Sequence, residues 1–166
     1  MKKIIPLLFV LFVSTNMFSQ DVYIKLPQAK TKNPSFIYNK NVIGNESIFK
    51  SLGNTEQEVK EKVKGVYVIK DQPYRKSADY YNLTEQGILF VDLKEKLISK
   101  TQSELNAFFG MDKQSEIYID GYLLESKKYK IALKAIMEIE IVEPDATNHL
   151  TSNVLNIWTL KKSERY

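Results

Sequence analysis

Residues 116–121, Glu-Ile-Tyr-Ile-Asp-Gly, set the reading of the whole chain. Ile117 and Ile119 alternate with Glu116, Tyr118 and Asp120, which is the period of a strand. Asp-Gly then turns a tight hairpin, because both residues tolerate positive φ. Downstream, Ser126 is placed to cap a helix whose inward stripe is Tyr129, Ala132, Leu133 and Ile136, with Lys127, Lys128, Lys130 and Lys134 on the outer face. Residues 137–143, Met-Glu-Ile-Glu-Ile-Val-Glu, return to period two: Ile139 and Ile141 share one face, Glu138 and Glu140 the other. Pro144 stops this strand because it has no amide for a ladder. Residues 154–160 read as a closing strand, with Leu155, Ile157 and Thr159 opposite Val154, Asn156, Trp158 and Leu160. The polar tail after it is expected to fray.

Working upstream, residues 22–26 alternate as a first strand ended by Pro27. The Lys/Asn-rich stretch to about residue 45 reads as a linker or irregular loop, with Phe36, Ile37 and Tyr38 packing on the domain. Thr55 and Glu58 form a capping box, and the helix they open, with Val59 and Val63 as a thin apolar stripe, is expected to end at Gly65. Residues 66–69 (Val-Tyr-Val-Ile) are β-forming. Residues 71–86 have no period and read as a loop. After Gly87, the run Ile88, Leu89, Phe90, Val91 suits a strand buried on both faces. Thr101 and Glu104 repeat the capping box ahead of Leu105, Phe108 and Phe109, and Gly110 supplies the left-handed stop. No internal repeat, low-complexity tract or heptad run is expected. The pattern predicts an α+β fold: a small mixed sheet with two or three short helices.

The first residues are of a different kind. Lys2 and Lys3 precede an apolar stretch, residues 4–13, and then Ser14, Thr15 and Asn16, the layout of a secretory signal cut after Ser19. Such a stretch is about half the length needed to span a bilayer, so no transmembrane span is expected once it is cleaved. Its Met-Lys-Lys start and Phe-Ser-Gln ending resemble envelope proteins of Gram-negative bacteria of the Bacteroidetes kind. The expected organisation is a signal peptide at 1–19, an N-terminal strand and linker-like segment at 20–54, an α+β domain at 55–162 and a tail at 163–166. Removing Lys2 and Lys3 from the 24 basic residues leaves 22 against 20 acidic ones, so the mature chain is near neutral. That balance gives no footprint for nucleic acid. With no Cys and one His, disulfides, thiolate chemistry and His-rich metal sites are excluded.

From Ile117 onward the chain resembles the plug domain of TonB-dependent outer-membrane receptors. Tyr118, Ile119, Asp120 and Gly121 are similar to its "YIDG" strand-turn, and Ile136 to Ile141 to its "I-x-x-I-E-V" step, with Glu138 and Glu140 inside it. Pro144 and Ala146 stand at its proline/alanine connection, and residues 153–159, with Asn156 central, are similar to its closing "G-V-I-N-I-x-T" strand. More weakly, residues 65–68 are similar to its "GV-x-V" strand. The resemblance spans about residues 116–162. It departs at residues 147–153, where the family carries glycines and this chain none. It implies a plug-domain-like fold, a periplasmic or secreted location and a binding role. The 166 residues hold no barrel, so the implied work is docking on an outer-membrane or periplasmic protein, without catalysis and without cofactor.

Three groups invite chemistry on their residue types alone. Asp145, His149 and Ser152 would compose a triad only if a loop gave them that geometry, and no nucleophile-elbow pattern surrounds Ser152. Glu138, Glu140 and Glu143 are dense enough to hold a hard cation, against the plainer reading of a solvated strand face. An envelope hydrolase or metal-binding protein built on either group is the alternative to docking. Tyr74, Arg75, Tyr80 and Tyr81 make the best candidate contact surface, since aromatics and Arg give rigid apolar area with a polar handle.

Overall fold

Short apolar runs bounded by Asn, Asp and Gly dominate this chain, and they fold as short strands. The computed structural model describes residues 23–70 and 78–166; the expected signal peptide at 1–19, Tyr74 and Arg75 lie outside them. In chain order the elements are β1 (Ser35–Tyr38), β2 (Val42–Gly44), α1 (Glu46–Lys50), α2 (Glu56–Lys62), β3 (Val63–Ile69), β4 (Ile88–Leu93), β5 (Ser99–Thr101), α3 (Gln102–Phe108), β6 (Ile117–Ile119), β7 (Tyr122–Leu123), β8 (Lys130–Ala132), β9 (Glu138–Val142) and β10 (Val154–Trp158). They form a six-stranded mixed sheet, β3-β4-β1-β2-β8-β5, and a four-stranded one, β7-β6-β10-β9. The fold is α+β, as the pattern predicts.

The two sheets meet across one core. Ile37, Ile43, Ile88 and Ile131 from the first sheet and Ile117, Ile119, Leu155 and Ile157 from the second belong to a single buried cluster. Each such side chain contributes about 1.5–3 kcal/mol on leaving water. On the far side of the first sheet, Phe36, Tyr38, Val91 and Leu93 pack with Ile48 of α1. On the far side of the second, Tyr118 and Val154 pack with Leu26.

The structure contains a repeat that the sequence does not display. In the first sheet a hairpin (β1, β2) is joined in parallel by β4, which pairs antiparallel with β3. In the second sheet a hairpin (β6, β7) is joined in parallel by β10, which pairs antiparallel with β9. The order along the chain is also the same. The correspondence extends to single hydrogen bonds. The Asn39 amide donates to the Val91 carbonyl and its side-chain oxygen accepts from the Leu93 amide; the Asp120 amide donates to the Ile157 carbonyl and its carboxylate accepts from the Thr159 amide. Each hairpin thus uses an Asx residue in left-handed conformation, φ 47° at Asn39 and 52° at Asp120, to fasten the end of the parallel neighbour. The expectation of no internal repeat is corrected. The hairpin loop has residues 39–41 in one unit and 120–121 in the other, and the connections differ in length, so no fixed sequence period survives.

Other expectations need correcting. Residues 35–44, read as linker, form the central hairpin of the larger sheet, and both of its strands are buried throughout. Of the strand expected at 22–26, the described residues 23–26 make only one bridge, Lys25 to Tyr122. The helix opened by Thr55 has both capping-box bonds but ends at Lys62, because Val63 leaves the helix and starts β3. The helix expected after Ser126 is absent. Tyr129 and Ile131 are buried at period two, and β8 lies between β2 and β5, followed by a single 3-10 turn at Leu133–Ala135. Its lysines therefore share no helix face: Lys127 donates to the Gln114 and Ser115 carbonyls and Lys128 pairs with Asp79. The tail is not frayed either, since Arg165 is only 5% exposed.

Candidate functional site

The residues singled out by the 116–162 pattern converge on the Asp120–Gly121 turn. Both lie in the left-handed region, φ 52° and 89°, as a two-residue hairpin requires. A Cβ at Gly121 would fall onto the Ala29 backbone, so glycine is needed here for space as well as for conformation. Asp120 accepts from the Thr159 amide at 2.6 Å and from its hydroxyl at 2.7 Å. The Lys30 ammonium stands 3.7 Å from the same carboxylate and donates to Ser35 Oγ at 2.8 Å; Lys30 and Asp120 are both sealed from water. Burial pulls the Lys30 pKa below its ordinary value, and the Asp120 charge opposes that pull.

The network continues across the outer face of the second sheet. The Gly121 amide donates to Asn156 Oδ1 at 3.0 Å, Asn156 Nδ2 to Glu140 at 3.2 Å, and Trp158 Nε1 to the same Glu140 oxygen at 2.7 Å. The Arg165 guanidinium lies 3.9 Å from the Trp158 ring centre and donates to Glu138 at 2.5 Å. That hydrogen bond, with Lys162 nearby, holds the half-buried Glu138 carboxyl below the usual range. Tyr118 is paired with Asn156 in the ladder, and burial raises its hydroxyl to about 12. Five of the pattern's residues, Asp120, Gly121, Asn156, Glu140 and Glu138, are thereby linked through Trp158 and Arg165; Tyr118 borders them and Pro144 lies outside on an exposed connection. Lys30, Thr159, Trp158 and Arg165 were not singled out from sequence. Arg165 sits in what reads as a polar tail and Lys30 in what reads as a linker, so composition hides both.

The groups that invited chemistry are not assembled for it. Asp145 accepts from the Thr147 hydroxyl and amide and from the Asn148 amide, which lower its pKa. His149 is exposed at φ 55°, and no hydrogen bond joins it to Ser152 among the described residues. Both line a groove of about 470 Å³ with Tyr23, Tyr118 and Leu150. Glu138 and Glu140 are held by Arg165, Asn156 and Trp158, and no group of three or more metal-ligating side chains occurs among the described residues. Of the expected contact surface, Tyr81 is 7% exposed and stacks on Tyr23 at 4.9 Å, while Tyr80 packs edge-on against Phe90 at 5.3 Å. Tyr81 folds its part of the loop onto the core, which corrects its reading as a contact surface, while Tyr80 stays half-buried.

Phe108 and Ile98 expose the most apolar surface singly, at 82% and 77%, but β3 exposes a consecutive run. Val66, Tyr67 and Val68, successive in β3, are 44%, 60% and 63% exposed. Successive strand residues point to opposite faces, so among the described residues this outermost strand is uncovered on both. No helix among the described residues is long and apolar enough to cross a membrane. No family model, curated protein or solved structure matches this chain.

Proposed function

We propose that this chain is an exported, plug-like interaction domain that docks on an outer-membrane or periplasmic protein and carries out no chemistry itself. The observation that carries this reading is how the Asp120, Asn156, Glu138 and Glu140 side chains are occupied: each is held by protein donors or acceptors. Groups so engaged fasten a turn and three strands and do not present themselves to a substrate. The order hairpin, outer strand, parallel return strand across residues 116–159 supports the plug-like part of the reading. Solvent-facing apolar surface on β3 supports contact as the mode of action.

The export part rests on Lys2, Lys3 and the apolar stretch behind them. N-terminal sequencing of protein from the periplasmic fraction is expected to begin at Gln20. Gentle crosslinking of intact cells, followed by purification of this chain, should recover it with an outer-membrane protein. Recovery only as a free monomer would overturn the docking reading.

A further inference from the structure

Of the six glycines in the chain, only Gly121 follows an Asp or an Asn. An Asp-Gly pair is the one most prone to cyclise, because glycine has no side chain to shield its amide nitrogen from the preceding carboxyl. In that reaction the Gly121 nitrogen bonds to Cγ of Asp120 and a Cγ–O bond breaks. The oxygen, already carrying one proton, takes the amide proton as well and leaves as water. Water then opens the cyclic imide at either carbonyl. Attack at Cγ restores aspartate; attack at the main-chain carbonyl gives isoaspartate, in which the backbone runs through the side chain and is one methylene longer.

In the folded protein every requirement of this step is opposed by a contact. The amide proton that must be lost is donated to Asn156 Oδ1 at 3.0 Å. The carboxylate accepts from the Thr159 amide and hydroxyl and faces the Lys30 ammonium at 3.7 Å, so the oxygen that would leave is held in place without its proton. Asp120 and Asn156 are each 1% exposed, and Ala29 lies against Gly121, which keeps out the water that opens the ring. The counterpart turn of the first unit has Lys40 after Asn39, and its side chain hinders the same attack. The weakness and its protection therefore both belong to the second unit.

We propose that Asp120–Gly121 is a modification site that the fold closes, with Asn156 as the residue that holds it shut. The pair cyclises in chains whose turn is open and is inert in the native state. Isoaspartate then bars the way back, because an extra methylene must enter a two-residue turn at which even a Cβ on Gly121 meets the Ala29 backbone. Chains that stay unfolded are thereby removed from the folded population. Docking on an envelope partner plays no part in this inference.

The test ages the purified chain in warm neutral buffer with and without urea and reads isoaspartate in the tryptic peptide 114–127 by electron-transfer fragmentation. Isoaspartate at position 120 should accumulate in urea, and at least about a hundredfold more slowly without it, since reaction is confined to the open fraction. In Asn156→Ala the rate without urea should rise roughly fivefold to tenfold, the worth of one hydrogen bond, with the rate in urea unchanged. Ile43→Val loosens the core of the first sheet by a comparable amount and should leave the rate unchanged, because the turn opens locally. Equal acceleration in the two variants would overturn the proposal, as it would assign nothing to Asn156. A Gly121 amide that exchanges its hydrogen freely in the native chain would overturn it without any variant, and so would isoaspartyl chains that refold when urea is removed.

Discussion

Asp120 and Asn39 do the same work at equivalent turns, but only Asp120 brings a buried cation with it. Asn39 shows that a neutral side chain suffices to accept the strand-end amide, so the charge at position 120 is required chiefly by Lys30. Asp120→Asn should therefore cost about 3 kcal/mol, because it strands the Lys30 ammonium in the core, and Lys30→Met added to it should recover most of that loss. Urea denaturation of the single and double variants measures this directly. Gly121→Ala is expected to cost at least about 2 kcal/mol, since it forces a Cβ into both a left-handed backbone and the Ala29 backbone. The Asp-Gly turn was legible because its conformational demand is local. Lys30 was not, because its partner lies ninety residues away in sequence and a lysine in a Lys/Asn-rich stretch looks solvated.

Elements whose ends are fixed by local chemistry were read well. Both capping boxes occur as spaced, and α3 stops just before a left-handed Gly110. The Glu104 carboxyl, held by the Thr101 amide and then by Lys100 and the Thr101 hydroxyl, is lowered to about 2. A carboxylate depressed on folding stabilises above its unfolded value and loses that contribution as pH falls through its folded value. The stability difference between the native chain and Glu104→Ala should thus be full near pH 6 and fade between about pH 4.5 and 2. Elements specified by distant partners were misread. Tyr129, Ala132, Leu133 and Ile136 fit a helical stripe, but β2 and β5 recruit residues 130–132 between them, and the tertiary ladder overrides the local period. The C-terminal turn is a similar case: Arg165 covers Trp158 and its carbonyl accepts from the Thr31 amide. Deleting residues 163–166 should lower stability by about 2 kcal/mol or more, where a frayed tail would change nothing.

At the scale of the molecule, two units of one topology stand against a shared core. The second unit was visible in sequence because its hairpin and return strand keep recognisable runs. The first was hidden because Ser35 to Gly44 resembles a linker in composition. The candidate site was half visible: pattern residues were found, but their role as internal fastenings came only with the geometry. If the molecule acts by contact through β3, and not through its motif residues or the His149 groove, the surface in use can be mapped in living cells. A photoreactive phenylalanine analogue placed at Tyr67, and in a second strain at Ser152, reports what lies against each position on illumination. The account predicts adducts heavier than the monomer from position 67 and unmodified monomer from position 152. Adducts from position 152 with none from position 67 would contradict it.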